Sequence, residues 1–431
     1  MTPGGRIAAA IEVLGEMERH HRPATEALRD WGRTHRFAGS GDRAAIGNLV
    51  FDALRHKASA QWVLDNDSAR SSVLGTLALH WGKSAKELNA WFEGDKHAPQ
   101  PPSAAEITAL QGRELAEAPE WVRADVPEWT AGLLAANFDE EFIAEGQALA
   151  QRPPIGLRVN TLKADRAKVK KALGRFNPRD CALAPDGLFI AAPTEFGRSA
   201  NVQADGAYQK GWVEVQDEGS QVVSQLVFAQ PGEQILDYCA GAGGKTLALA
   251  ACMENKGQVF AYDADRNRLS AIYERIKRAG LRNVQVREPG ENVLADLTDR
   301  MDRVVVDAPC SGSGVWRRRP DAKWRLTPEA LEKRQDEQRA VLQEASAFVK
   351  PGGYLCYITC SVFPEENEGQ VYQFLEDQED RFELLSAGEV WQDLFGFEAS
   401  QPWSSDDCSV TLTPATTQTD GFYFAVIGRK T

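Results

Sequence analysis

Two cysteines fifty residues apart, Cys310 in VVVDAPCSGSG and Cys360 in GYLCYITCSVFPEENE, each close a run of strand-forming residues. A strand that ends in a thiol delivers it to the carboxyl edge of an open α/β sheet, where such folds bind their ligands. Two thiols on one rim point to covalent sulfur chemistry, since the thiolate is the nucleophilic form of cysteine. Most free cysteines are inert and buried, and that reading suits Cys181, Cys252 and Cys356. It suits Cys310 and Cys360 less well, because the Pro, Ser and Gly around them favour turns at a cleft.

The residues that would assist such thiols are constrained by composition. All six histidines (20, 21, 35, 56, 80 and 97) lie in the first hundred residues. A Ser-His-Asp hydrolase and a His-rich metal site are therefore disfavoured, no metal is expected, and acid–base work near the cysteines falls to Cys, Asp, Glu, Lys or Tyr. The seven cysteines form no ligand-like CxxC pair, so reduced thiols in a cytoplasm are expected.

A second constellation lies in QILDYCAGAGGKTLALAA, which reads as a strand, a glycine-rich turn and a helix. Glycines 241, 243 and 244 let backbone approach a ligand, and the helix start offers free N–H groups. The next strand, QVFAYD, ends at Asp263, 22 residues after Gly241, where an acid suits ribose hydroxyls. A P-loop would need glycine where Cys239 stands. A dinucleotide fold would prefer GxGxxG over the GxGG present. S-adenosylmethionine fits best, since it carries one nucleoside and no pyrophosphate. A tight turn with no ligand is the plain alternative.

These motifs need elements to hold them. Residues 1–149 read as helices; in DRAAIGNLVFDALRH, Ile46, Leu49, Val50, Ala53 and Leu54 recur at helical spacing. Residues 150–217 read as a small α+β unit with a strand IGLRVN and a basic helix ADRAKVKKAL. From 218 to 431 strand and helix alternate, which predicts right-handed βαβ units, a parallel sheet and a Rossmann-like α/β core. Within it the strands leading to Cys310 and Cys360 are expected side by side. No apolar run reaches the roughly 18–20 residues of a membrane span, and the N-terminus does not read as a secretory signal.

The formal charge is −13, which argues against binding nucleic acid over the whole surface. Charge is uneven, however. Residues 151–180 hold nine basic and two acidic side chains, and residues 317–325 hold five basic and one acidic. Such stripes grip a phosphate backbone locally, or are simply solvated faces.

LRVNTLK (157–163), VQDEGSQ (215–221), DYCAGAGGKT (237–246), DAPCSGSGVWRRRPDAKW (307–324) and YITCSVFPEENE (357–368) together resemble the RsmB/Sun family of RNA 5-methylcytosine methyltransferases. The resemblance covers roughly residues 150–431; the first 140 residues are more weakly similar to the NusB-type helical domain of bacterial members. It implies a class I methyltransferase fold and S-adenosylmethionine as cofactor. The substrate would be RNA, ribosomal RNA favoured over transfer RNA, and the protein would act as a monomer away from membranes. It implies Cys360 as the nucleophile on cytosine carbon 6, Cys310 as the residue of release, and Asp307 as a contact to the cytosine edge and to the cofactor. The cofactor would lie against Cys239, Ala240, Gly241, Ala242, Gly243, Gly244 and Lys245, with Asp263 on the ribose. RNA would be held by Arg158, Asn160 and Lys163 with the helix after them, and by Arg317, Arg318 and Lys323. One departure stands out: Gly290 in VREPGEN occupies the place of the family's usual acid near the adenine, with Glu288 or Glu291 as substitutes. A non-catalytic RNA-binding or assembly factor on the same fold is the competing reading from another class, and a P-loop NTPase is a third.

Overall fold

The computed structural model describes residues 1–396, 402, 406 and 408–431. These fall into two compact units. The first comprises Met1–Pro153, Ala192–Ser199 and Trp316–Leu326; the second comprises Pro154–Ala191, Ala200–Val315 and Thr327–Thr431.

The first unit is helical. Its opening helix, Pro3–His20, starts with the Thr2 side chain accepting from the Gly5 amide and with proline in the first turn, where a missing N–H costs nothing. It ends at His21 in the left-handed conformation. Ile7, Ala10, Val13 and Leu14 pack with Ile46, Leu49, Val50 and Ala53 of the helix Ser40–Arg55, so the helical face expected there is the buried one. Within this unit the segment Trp316–Leu326 is an internal strut. Lys323, 1% exposed, donates to the carbonyls of Arg55 and Asp125, and Arg55 donates back to the Arg317 carbonyl at 2.9 and 2.7 Å.

The second unit holds two sheets. The smaller is antiparallel, ordered β2-β3-β1-β4, with β1 Ile155–Val159, β2 Arg179–Asp180, β3 Gly187–Ile190 and β4 Val213–Val215. The larger is mixed. Its path runs β10-β12-β9-β8-β5-β6-β7, with β11 on β12. The strands are β5 Gln234–Asp237, β6 Gln258–Tyr262, β7 Val284–Arg287, β8 Met301–Asp307, β9 Val349–Thr359, β10 Phe382–Leu385, β11 Val410–Leu412 and β12 Phe422–Arg429. Strands β5 to β9 pair in parallel, and β12 inserts antiparallel between β9 and β10. The interior strands read as continuous apolar runs because helices cover both faces, with one core around Val222, Ile235, Leu249 and Ile358 and another around Leu236, Val304, Val306 and Tyr357. The expected α/β class with a parallel central sheet is the observed one. Residues 154–191 and 200–315 share one compact unit. The joint is Asn160, whose amide donates to the carbonyls of Gly211 and Ala279 at 2.9 and 2.8 Å.

Candidate active site

Neighbouring strands β8 and β9 run in parallel with Asp307 opposite Ile358, so their ends reach the same rim. Beyond Asp307, the Ala308 amide makes a further bond to the Ile358 carbonyl at 2.8 Å. Pro309 has no N–H to extend the ladder, and the chain turns with Cys310 at the bend. Strand β9 stops at Thr359, and the Cys360 carbonyl accepts from the Gly314 amide at 2.9 Å. Together these turns bring the Cys310 and Cys360 sulfurs to 3.4 Å. Both cysteines keep partial exposure. The adjacent Cys360 sulfur, then burial, push the Cys310 thiol well above the usual cysteine range. By contrast Cys356, enclosed in β9, has no such sulfur neighbour; burial above all raises it to about 12.

The PEENE segment fastens both turns. The Asn367 side chain accepts from the Thr359 hydroxyl at 2.6 Å and donates to the Ser361 carbonyl at 3.1 Å. One residue earlier, Glu366, with no exposed surface, accepts from the Ser311 amide at 2.7 Å, from the Ser311 hydroxyl and from Gln338 at 3.0 Å. Gln338 also donates to the Pro309 carbonyl at 2.9 Å. The tasks of Glu366 and Asn367, and of Gln338 on the helix Pro328–Ser346, are not evident from the sequence. The available signal was the acidic run that follows Cys360 within a few residues.

The glycine turn follows β5. Gly241 and Gly243 have φ of +51° and +84°, and a Cβ on Gly243 would stand 2.5 Å from the Ile272 side chain. Only glycine meets both demands. Asp263, at the end of β6, accepts from the Gly241 amide at 2.9 Å and from the Asp265 amide at 2.8 Å, leaving lone pairs on both oxygens for hydroxyl donors. Beneath the turn Asp237 accepts from Thr246 at 2.6 Å, while its other oxygen is buried without a partner. Burial raises its carboxyl to about 7. Lys245 reaches from the helix Gly244–Cys252 to Asp307 at 2.7 Å, so the turn and the cysteine strand share an ion pair. Cys239 lies on the same turn, its thiol raised by burial and then by Asp307. Glu288, one of the two suggested stand-ins for the acid missing at Gly290, is held by the Tyr273 hydroxyl at 2.9 Å and by Arg266 at 3.3 Å; Glu291 is exposed.

The residues assigned to RNA fare unevenly. Arg158 is buried and donates to Gln216 at 2.6 Å, and Asn160 is the internal joint already described. Lys163 donates to the carbonyls of Lys210 and Arg278. Arg317 and Lys323 are buried inside the helical unit, and Arg318 is half-buried there. Arg158, Asn160, Arg317 and Lys323 are thus committed to protein contacts. Strand β1 is an inner strand between β3 and β4, and its residues from Gly156 to Val159 are all buried. The basic helix Arg166–Ala172 does offer an open face: Lys168 and Lys171 are exposed, and Lys168 and Lys210 flank Trp212 at 4.1 and 4.9 Å from its ring centre.

A parallel sheet in which a glycine turn, an acid at the next strand end and a ligand-facing rim lie together defines a class I methyltransferase core, a fold shared with known proteins. A methyltransferase homologue from Pyrococcus horikoshii superposes with a TM-score of 0.59 at 26% identity, over 72% of this chain and 98% of that one. The sequence profile of the 16S rRNA methyltransferase RsmB/F family matches residues 224–428, and that of the family's ferredoxin-like domain matches 126–196. Ribosomal RNA small subunit methyltransferase B of an Enterobacter species is 31% identical, covering 78% of this chain and 82% of the relative. The protein of the same name from Citrobacter koseri is 28% identical over 90% and 91%. The chain belongs to the RsmB/F family of rRNA methyltransferases, and its methyl donor is S-adenosylmethionine. The residues at the turn fit that donor: a left-handed glycine cradle, lone pairs on Asp263 and the unpartnered Asp237 oxygen are what a nucleoside and an amino-acid tail require.

Proposed function

We propose that the chain transfers a methyl group to carbon 5 of a cytosine in small-subunit ribosomal RNA, with Cys360 as nucleophile and Cys310 as the residue of release. The observation that carries this reading is the pair of sulfurs 3.4 Å apart at the ends of adjacent parallel strands. Carbon 5 of cytosine is a weak nucleophile. A thiolate added at carbon 6 breaks the ring's conjugation and moves electron density to carbon 5. Bound at the glycine turn, S-adenosylmethionine supplies an electrophilic methyl group. Asp307, fixed by Lys245, is the group that meets the cytosine edge as charge develops in the ring.

The raised Cys310 thiol suits Cys360 to the attack. The adjacent Cys360 sulfur raises the Cys310 thiol and so favours the proton on Cys310, which lets Cys310 serve as donor in the sulfur–sulfur contact. When the Cys360 sulfur becomes a thioether on carbon 6, the largest cause of the raised Cys310 value disappears. Cys310 then loses its proton to solvent and, as thiolate, takes the proton from carbon 5. The electrons of that C–H bond form the carbon 5–carbon 6 double bond, the C–S bond breaks, and its pair returns to Cys360. One methyl group enters, one proton leaves, and the starting S–H···S pair is restored.

RNA is held at the Lys168, Lys171, Lys210 and Trp212 face, which offers cations for phosphate and an indole for a base. The target base must leave any stack to meet the thiols, so a loop or disrupted helix in RNA suits it, in the cytoplasm. Tritium transfer from S-adenosylmethionine to small-subunit ribosomal RNA, with bisulfite sequencing of the product, tests the reading. One protected cytosine in that RNA is expected. Label in transfer RNA alone would reassign the substrate, and no label in any RNA would leave a binding factor.

A further inference from the structure

The established chemistry of the family does not account for the buried carboxylate beneath the Cys310 turn. Glu366 has no exposed surface, and three donors converge on it: the Ser311 amide, the Ser311 hydroxyl and the Gln338 amide. Its Oε1 accepts from the Ser311 amide and Gln338 and its Oε2 meets the Ser311 hydroxyl; burial raises the carboxyl above the usual glutamate range, and these hydrogen bonds pull it back down. Removing a charge from water is costly, so a buried carboxylate with this many donors is a built feature. Each donor is tied to the bend that carries Cys310. Ser311 is its neighbour, and Gln338 also holds the Pro309 carbonyl on its other side at 2.9 Å. The Glu366 backbone is pinned in turn, its carbonyl accepting from the buried Tyr357 hydroxyl at 2.7 Å.

The opposite turn has its own brace through Asn367, with bonds to Thr359 and Ser361. Adjacent residues therefore hold adjacent turns: the amide and hydroxyl of Ser311 tie Glu366 to the turn bearing Cys310, and the Ser361 hydroxyl links it to the other. Its negative charge is also among the causes that keep the Cys310 thiol protonated, after the Cys360 sulfur and burial.

We propose that Glu366 is a positioning residue for the release step, clamping residues 309–311 so that the Cys310 sulfur stays beside the carbon that Cys360 has attacked. Formation of the Cys360 adduct depends less on this clamp, because the Cys360 turn keeps its own brace through the Asn367 bonds to Thr359 and Ser361. Loss of the clamp therefore slows release more than attack and methyl transfer. This rests on the assignment of Cys310 to release.

The experiment compares full-length wild type, Glu366→Gln, Ser311→Ala and Cys310→Ala with small-subunit ribosomal RNA and S-adenosylmethionine. Three readouts are taken: steady-state turnover, protein–RNA adduct on a denaturing gel, and the affinity for S-adenosylmethionine. For Glu366→Gln, turnover should fall roughly tenfold to hundredfold with accumulation of methylated adduct and unchanged cofactor affinity. The pH midpoint of release should move to lower pH, because a negative charge beside Cys310 is gone. Ser311→Ala keeps the charge and deletes one donor, so it should accumulate less adduct with no shift of midpoint. A Glu366→Gln protein that turns over normally, or that loses activity and cofactor affinity together without adduct, overturns the proposal. So does Ser311→Ala without adduct, should Glu366→Gln fail to fold. If Cys310→Ala itself traps nothing, the assignment of release fails; if it traps adduct and Glu366→Gln does not, only the clamp fails.

Discussion

The Lys245 ammonium lies 2.7 Å from the Asp307 carboxylate and 5.2 Å from the centre of the Phe422 ring. The first turn of the helix behind the glycine loop is thereby tied to the last residue of β8, three positions before Cys310. Lys245 is almost enclosed, with 7% of its side chain exposed, while 34% of the Asp307 side chain is open. A cation in that position needs its counter-charge, and the open carboxylate oxygen is left for a ligand.

Asp307→Asn should reveal both roles. It leaves Lys245 enclosed without a counter-ion, which should cost about 1–2 kcal/mol once the exposure of the partner is allowed for. Denaturant unfolding measures this. Methyl transfer should fall on the order of a hundredfold, the usual size of a lost electrostatic contact in a reacting site.

Asp237 predicts a pH dependence. Its folded-state carboxyl is raised by burial to about 7, above the ordinary 3.8. A raised acid favours the folded state at low pH, so its contribution is fully present below about pH 4 and is lost as pH climbs through 7. Asp237→Asn mimics the protonated form and keeps the acceptor for Thr246. Relative to wild type it should gain stability from pH 4 upward and level off above pH 7, by roughly a few kcal/mol. Thermal unfolding at several pH values checks the sign; a difference that is flat with pH would refute the assignment.

Gly243→Ala should damage the cofactor turn. The residue has φ +84°, and an added Cβ would press to 2.5 Å of Ile272. Strain and overlap together should cost roughly 1–3 kcal/mol, and calorimetric titration should show weaker binding of S-adenosylmethionine.

Much of this site was legible from sequence, for reasons local to the chain. The glycine turn announces itself because left-handed backbone restricts residue type, as at Gly241 and Gly243. The two cysteines announce themselves because an apolar run that stops at Pro309-Cys310 or Thr359-Cys360 has to end at a sheet rim. Side-chain direction was not legible. Arg158 and Asn160 sit in a basic stretch that reads as a binding face, yet β1 turns them inward, to Gln216 and to the Gly211 and Ala279 carbonyls. Lys323 belongs to a run of basic residues, but its ammonium satisfies the carbonyls of Arg55 and Asp125, far away in sequence. The task of Glu366 was equally hidden, since its partners Ser311 and Gln338 are 55 and 28 residues distant.

That difference gives a prediction for RNA binding. Lys168→Ala with Lys171→Ala should weaken RNA affinity several-fold, flatten its dependence on salt by about one counter-ion per lysine, and leave cofactor binding unchanged. Arg158→Ala should act through folding instead, lowering the unfolding midpoint because Gln216 loses its buried partner. Filter binding at several salt concentrations, alongside thermal melts, separates the two classes.

The most direct measurement is trapping on a denaturing gel. Cys310→Ala, mixed with small-subunit ribosomal RNA and labelled S-adenosylmethionine, should yield a gel-stable protein–RNA band that carries the label. Adding Cys360→Ala to the same protein should erase that band. A labelled band that survives loss of Cys360, or its absence from the Cys310→Ala protein while wild type turns over, would contradict the division of labour between these two sulfurs.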